Sequence, residues 1–465
     1  MGAKHLIPID EQRPAAMFWA DIIEAHSAPD DVVLVPFAMD TTIASAALKA
    51  ARRVILLVRT PAQQLRLWAR LVPIDEVGRR RALSRLAETT KRDTPLDLHI
   101  QSLYQTTCSV CGEQTSAIAF ILDPTRQVPV EKELACQACG FLGRTSADEE
   151  DVERAAQFER RGLSFWFILE WLVDAQDTSG REIARRHLDS YSPRNLMALA
   201  DITRKIDADL ADDPASQHIL RVWLLHALDA GRLQPDPIDE TRVVERNVWH
   251  LLTHAPAADG IGIPVRVTTE LETFFRKLDP APNVALVAGP VRRLARGLPE
   301  ECITLMVGAP PVLDADAWTW EQLWSRWVFG RGAAGGGGLL PPIGGWTRHV
   351  RALGATMATL LRTLHPDGHA IFHFHDGDPD RAHALLMAMA PCARIEDFVY
   401  QPPVAEPAHL FDAIGGTYHI AFTPAQPTEQ PFLLNAHDLA ATIEESVVDA
   451  ASGVVADRAE PLPYG

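Results

Sequence analysis

Val32-Val-Leu-Val35 and Val54-Ile-Leu-Leu-Val58, with residues 41–52 between them, decide the fold. Each run is short, apolar and bounded by turn residues, the pattern of a strand buried on both faces of a parallel sheet. Between them Ile43, Ala46, Ala47 and Ala50 recur at helical spacing, so 41–52 reads as a helix with one inner side. Pro61 opens a further helix to about Leu71, and Ala15, Phe18, Ile22 and Ile23 mark an amphipathic helix over 14–28. Strand, helix, strand, helix at this spacing is a right-handed βαβ unit, the start of a doubly wound α/β sheet.

The same rhythm resumes far downstream. Asn283-Val-Ala-Leu-Val287 and Cys302-Ile-Thr-Leu-Met-Val307 read as buried strands. Residues 346–364 read as a helix stopped by His365-Pro-Asp-Gly368, followed by strand 370–375, helix 380–390 and strand 395–400. The expected organisation is therefore one α/β domain completed after a long insertion. Its first part is 1–95, a cysteine-bearing ribbon is 96–146 and a helical block is 147–255. The second α/β part is 256–425 and an extension is 426–465, with one helix expected at 438–451. Gly332 to Gly338 lacks the Lys-Ser/Thr ending of a phosphate-binding loop and reads as a flexible surface loop.

Four cysteines carry the firmest chemistry. Cys108-Ser-Val-Cys111 and Cys136-Gln-Ala-Cys139 have the spacing of a zinc ribbon, each pair at a knuckle followed by Gly112 or Gly140. Residues 116–122 and 128–134 read as a two-stranded excursion between the knuckles. A disulfide pair or free thiols are the competing readings. A four-thiolate site has no open position for water, so the expected structural zinc holds a subdomain together and performs no chemistry. Cys302 and Cys392 read as ordinary thiols.

The chain of 465 residues has 47% apolar and 23% charged residues, long enough for two or three domains. No run of 18 apolar residues occurs, and Met1-Gly-Ala-Lys-His-Leu6 has neither an apolar core nor a myristoylation pattern. A soluble, cytoplasmic protein with no membrane attachment is expected. A formal charge of −17 opposes indiscriminate nucleic-acid binding, because polyphosphate affinity comes from neutralising cations. A local basic patch can coexist with that charge. Arg79, Arg80 and Arg81, with Arg85, Lys91 and Arg92, form one candidate, and Arg181, Arg185, Arg186, His187 and Arg194 another; a solvated helix face is the competing reading for the first. His373 and His375 share a strand face ahead of Asp376 and Asp378, which suits a metal or plain strand-end polarity. Trp320, Trp324 and Trp327 lie on one helix face, suited to packing or to a partner. No G-x-S-x-G nucleophile elbow occurs.

In this order, the segments resemble bacterial S-adenosylmethionine-dependent amino-group (adenine-type) DNA methyltransferases with an inserted zinc ribbon. Val35-Pro-Phe-Ala-Met-Asp-Thr-Thr42 is similar to the family's Asp-Pro-Phe-Ala-Gly-Ser-Gly-Thr-Thr, and Arg53-Val-Ile-Leu-Leu-Val-Arg-Thr-Pro61 to its second strand. Tyr191-Ser-Pro-Arg-Asn-Leu-Met-Ala-Leu199 and Glu245-Arg-Asn-Val-Trp249 look like family segments. Met306-Val-Gly-Ala-Pro-Pro-Val312 falls where Asp-Pro-Pro-Tyr belongs, and Trp318-Thr-Trp-Glu-Gln-Leu-Trp324 and Leu364-His-Pro-Asp-Gly368 fit the surrounding pattern. The resemblance implies a Rossmann-like methyltransferase sheet interrupted by the ribbon and the helical block.

The departures fall on the chemistry. The family's glycines let the backbone approach the methionine part of the cofactor, whereas Val35, Pro36, Phe37, Ala38, Met39 and Asp40 offer none. The family's acid at the end of the second strand binds the cofactor ribose; Val58 stands in its place. The family's catalytic Asp accepts a hydrogen bond from the target amine and its aromatic stacks on the flipped base. In the run Ala309, Pro310, Pro311, Val312, neither Ala309 nor Val312 can do this. Neither S-adenosylmethionine binding nor catalysis is expected. What the resemblance then implies is a methyltransferase-like pseudoenzyme, a non-catalytic DNA-binding protein or a partner subunit. Its partners would be DNA, or a catalytic methyltransferase or other nucleic-acid enzyme. The alternative is an active adenine-N6 or cytosine-N4 enzyme with a rearranged pocket, in which Asp40, Asp314 or Asp316 stands in.

Overall fold

The computed structural model describes residues 15–255, 260–311, 314–334, 339, 345–376, 380–401 and 416–425. Val312, the carboxylates of Asp376 and Asp378, most of the glycine run and the expected helix at 438–451 lie outside the described residues.

The chain is α/β, built on a mixed eight-stranded sheet. Its strands are β1 Val32–Val35, β2 Arg53–Val58, β3 Val267–Thr268, β4 Val284–Ala288, β5 Ile303–Gly308, β6 Leu364–Asp376, β7 Ala393–Gln401 and β8 Gly416–Pro424. They lie in the order β3-β4-β2-β1-β5-β6-β8-β7, all pairs parallel except that β8 runs antiparallel to both β6 and β7. Alternate residues feed two cores. Leu34, Ile55, Ala285, Met306 and Phe372 meet Met357, Leu360 and Leu385 on one face. Val33, Val35, Leu56, Leu286 and Val307 meet Phe18, Ile22, Ile23, Ala47 and Leu67 on the other. Both faces are thus covered by helices, which is why the central strands read as unbroken apolar runs.

Two expectations need correction. The helix Gly345–Leu361 ends before Leu364, and residues 365–368 are looped out inside β6 rather than lying between elements. The register passes from Ile303↔Leu364 directly to Leu305↔His369. A Cβ on Gly368 would sit 2.8 Å from the Thr304 carbonyl oxygen, so this close approach needs glycine. Strand β8 was not expected, although Tyr418, Ile420 and Phe422 alternate between Gly416 and Pro424. It inserts between β6 and β7, His373 opposite His419.

A third core belongs to helices. Glu76–Glu88, Leu96–Ser102, Leu163–Leu172, Pro193–Ala208, Pro214–Ala230 and Val248–Thr253 share it with Ala315–Phe329, whose Trp320, Trp324 and Trp327 are buried there. Beside it lies a five-stranded sheet in the order Gln234–Pro235, Val243–Arg246, Ala119–Leu122, Pro129–Ala135, Leu142–Ser146. Ala119–Leu122 and Pro129–Ala135 form the expected antiparallel excursion, and Val243–Arg246 returns from the far end of the helical block to pair with the first of them.

A buried polar network fixes that return. Arg194 and Glu245 are 3% and 2% exposed and lie 3.5 Å apart. The Arg194 guanidinium sits over the rings of Phe120, Phe158 and Tyr104 at 4.6, 5.3 and 5.5 Å. Ser192 donates to Glu245 Oε1, and Asn195 Nδ2 donates to the Gly231 and Arg246 carbonyls. Tyr104 donates to Asn195 Oδ1 at 2.6 Å and accepts from Val248 N–H. Removing one member of a buried ion pair strands the other, so Arg194→Met is expected to cost about 3–5 kcal/mol in urea unfolding. Arg194→Met with Glu245→Gln is expected to recover part of that loss.

Candidate functional site

The two cysteine knuckles have the same backbone. Cys108 N–H donates to the Glu113 carbonyl and Gly112 N–H to the Cys108 carbonyl; Cys136, Phe141 and Gly140 repeat the pattern. Gly112 and Gly140 have φ of 77° and 74°, a left-handed turn that favours glycine. The turns bring all four sulfurs within 4.8 Å of one another. Cys108 and Cys139 are 3.8 Å apart and Cys111 and Cys136 3.7 Å. A tetrahedron with metal–sulfur bonds of about 2.3 Å has sulfur edges of about 3.8 Å. A disulfide needs about 2.05 Å, and all four cysteines are free. The N–H groups of Cys111 and Val110 pull the Cys108 thiol down to about 6. Against the backbone N–H groups of Glu113 and Phe141, burial and the neighbouring thiols push Cys111 up to about 12 and raise Cys139. One thiolate among the four is thus favoured before a metal binds. Four sulfurs so placed can hold a metal ion such as zinc.

At the carboxyl ends of the sheet strands, the expected cofactor and catalytic positions are crossed by side chains of the chain itself. Val58 is buried in the core, whereas Met39 and Asp40 are exposed. Ala38 N–H donates to the Leu57 carbonyl, and Gln63 Nε2 donates to the Ala38 carbonyl at 2.7 Å. Arg59 lies 5.2 Å over the Trp318 ring, and its N–H donates to Gln63 Oε1. The helix Pro61–Leu71 is joined to Ala315–Phe329 by Thr60 donating to Glu321, Ala62 N–H to Ser325 Oγ, and an Arg66–Glu321 ion pair. On the other side, Arg381 Nη2 donates to the Pro310 carbonyl at 2.8 Å. Ala309 and Pro311 are half-buried and Pro310 is buried.

The acids weighed as stand-ins have other partners. Asp40 Oδ1 accepts from Thr42 N–H. Asp314 caps its own helix by accepting from Asp316 and Ala317 N–H, and Asp316 faces His187 Nε2 at 3.1 Å.

Most of the arginine candidates are engaged as well. Arg79 donates to the Thr253 carbonyl and lies 5.6 Å over the Trp223 ring. Arg80 pairs with Glu76, Arg81 with Asp213, Arg85 with Asp212 and Asp213, and Lys91 with Asp201. Arg185 is 3.5 Å from Glu182 and stands 5.7 Å over Trp166, while Arg186 is exposed. Arg194 belongs to the buried network. Its partners Tyr104 and Asn195 were not singled out from the sequence, and neither was Lys132, whose Nζ is buried against Thr106, Asp148 and Asp151. Their signal, polar residues inside apolar stretches, does not tell a satisfied core group from an exposed one.

His373 faces Phe18 and His419, at ring centroid distances of 4.3 and 5.5 Å. Among the described residues, the four cysteines are the only group placed to hold a metal ion. No helix of the described residues is long and apolar enough to cross a membrane.

No family model and no curated protein matches this chain.

The two histidines make a pH-dependent element. Burial holds His373 down at about 4, and burial with the nearby His373 and His26 holds His419 at about 3 against a weak opposing pull from Asp397. Neither ring nitrogen of His419 has a hydrogen-bond partner among the described residues. The unfolded chain takes up protons near pH 6.5 that the folded chain refuses. Stability is therefore undiminished above about pH 6.5, falls as pH drops from there towards about 4 and 3, and levels off below. Melting temperatures across that range are expected to show the fall, and His419→Leu to flatten it.

Proposed function

We propose that the chain is a methyltransferase-like protein whose cofactor crevice has been given over to structure, with a binding role in place of a catalytic one. The observation that carries this reading is the set of contacts across the carboxyl ends of the strands. Gln63 on the Ala38 carbonyl, Arg59 on Trp318 and Arg381 on the Pro310 carbonyl lie where open space and ligand donors are needed. The strand order supports a Rossmann-like, doubly wound sheet: it runs outward from β1 through β2 and β4 on one side and through β5 and β6 on the other. A doubly wound sheet binds ligands outside its strand ends at such a reversal. Here Val58 is buried, Ala309 carries no acid, and the motif from Val35 to Asp40 has no glycine. Ribbon and helical block read as insertions between the two sequence portions of that sheet, and zinc is the metal that best suits four thiolates in a closed tetrahedron.

The binding role has two forms: recognition of DNA, or service as the inactive partner of a catalytic methyltransferase or other nucleic-acid enzyme. The pairing of Arg79, Arg80, Arg81 and Arg85 favours arginines beyond that helix for phosphate contacts.

Calorimetric titration with S-adenosylmethionine and S-adenosylhomocysteine is expected to give no heat of binding up to millimolar ligand. Micromolar binding would overturn the non-catalytic reading. Metal analysis of the purified protein is expected to find about one zinc per chain. Cys136→Ser should lose that metal and lower the melting temperature; full metal occupancy in this variant would count against the ribbon.

A further inference from the structure

The helix Leu163–Leu172 carries a face that the crevice does not explain. Phe165, Ile168, Leu169 and Leu172 are buried in the helical core, yet Leu163, Trp166 and Phe167 are 90%, 41% and 43% exposed. Trp166 and Phe167 are consecutive, so they project about 100° apart around the helix. Each ring meets an arginine from a different neighbouring helix. Arg185 of Thr178–Leu188 stands 5.7 Å over Trp166, and Arg204 of Pro193–Ala208 stands 5.6 Å over Phe167. An aromatic ridge is thus flanked by two arginine-bearing helices.

The charges here differ from those on the helix Glu76–Glu88. The nearby carboxylates of Glu170 and Asp189 are taken by Arg181 and Arg161, and Glu182 lies against Arg185. Arg186 and Arg204 are exposed and have no carboxylate partner among the described residues. In a chain of net charge −17, Arg204 over the half-exposed Phe167 ring, and exposed Arg186 on the helix whose Arg185 stands over half-exposed Trp166, suit a ligand that is both anionic and flat-faced.

We infer that this ridge binds unpaired nucleotides, with bases stacked on Trp166 and Phe167 and phosphates on Arg186 and Arg204. The inference rests on the nucleic-acid form of the binding role proposed above and names its surface and ligand. Stacking on an aromatic ring is tolerant of sequence and requires an unpaired base, because bases in a duplex already cover each other's faces. A protein partner would bury the same rings but would leave Arg186 and Arg204 in need of acids. Single-stranded DNA and RNA share the chemistry of bases and phosphates.

The test is fluorescence anisotropy of the full-length, metal-loaded protein with labelled oligo-dT, oligo-rU and a duplex of equal length, over a range of salt. Both single strands are expected to bind more tightly than the duplex, and the dT and rU arms show which is preferred. Trp166→Ala and Phe167→Ala are each expected to weaken binding roughly five- to 150-fold, the effect of about 1–3 kcal/mol per stacked base. Trp166→Phe should retain most of the affinity. Arg186→Ser and Arg204→Ser should each reduce the salt dependence by about one phosphate contact. Circular dichroism and melting curves check that each variant is folded. The inference is overturned if no oligonucleotide binds, if folded alanine variants bind as the parent does, or if the duplex is preferred. S-adenosylmethionine binding would sink the non-catalytic reading and leave this result standing.

Discussion

A guanidinium withdrawn from water constrains how the non-sheet half of the chain is arranged. Arg194 is enclosed by three aromatic rings and has one carboxylate in reach among the described residues, Glu245, which the chain supplies only after two long helices have been laid down. Desolvating the two charges costs several kcal/mol each, and their attraction repays this only when the remaining polar atoms are also satisfied. Ser192 on Glu245, and Asn195 with Tyr104 on the adjoining backbone, meet part of that requirement. Any other placement of Val243–Arg246 leaves a bare ion in an apolar core. The pair is thus better understood as selecting one arrangement than as adding to net stability.

That selection explains which parts were legible. The central strands could be read because a parallel strand covered on both faces is a continuous apolar run. Leu34 and Val35 feed opposite cores yet look alike in sequence. The knuckles were legible because cysteine spacing is local. Strand β8 was missed because its pattern is that of any edge hairpin and its neighbours β6 and β7 are set by long-range pairing. The extent of the helical core was missed for a related reason. Helix Ala315–Phe329 follows β5 in sequence, but its tryptophans are buried against helices from a different stretch. Sequence periodicity identifies an apolar face without saying what it meets.

The crevice shows the same division between scaffold and contact. That the ribose acid, the catalytic acid and the two glycines expected from the resemblance are missing is visible in one dimension, whereas the residues that meet the strand-end carbonyls are not. Gln63 is one turn into a helix that any reading would assign, and only the fold reveals its amide on the Ala38 carbonyl. A backbone carbonyl at a strand end must find a donor, and a side chain from a neighbouring helix is one source. Arg381 does the same for Pro310.

The cysteine knuckles are tied into this arrangement through one lysine. Lys132 is 1% exposed, and its three ammonium donors reach Thr106, Asp148 and Asp151 at 2.7–2.8 Å. Thr106 lies just before the first knuckle, and Lys132 lies on the strand that enters the second. Thr106 also donates to Asp151, so the lysine, the hydroxyl and Asp151 form one buried unit that Asp148 joins from the surface. A metal holding the four sulfurs together fixes the approach of the same two strands whose side chains complete that unit. Pro129–Ala135 pairs in turn with Ala119–Leu122, which pairs with the strand carrying Glu245. Disorder at the knuckles would therefore expose a charged lysine first, and then loosen the strand that neutralises Arg194. A metal held by the four sulfurs would thus keep in place the carboxylate on which the buried arginine depends.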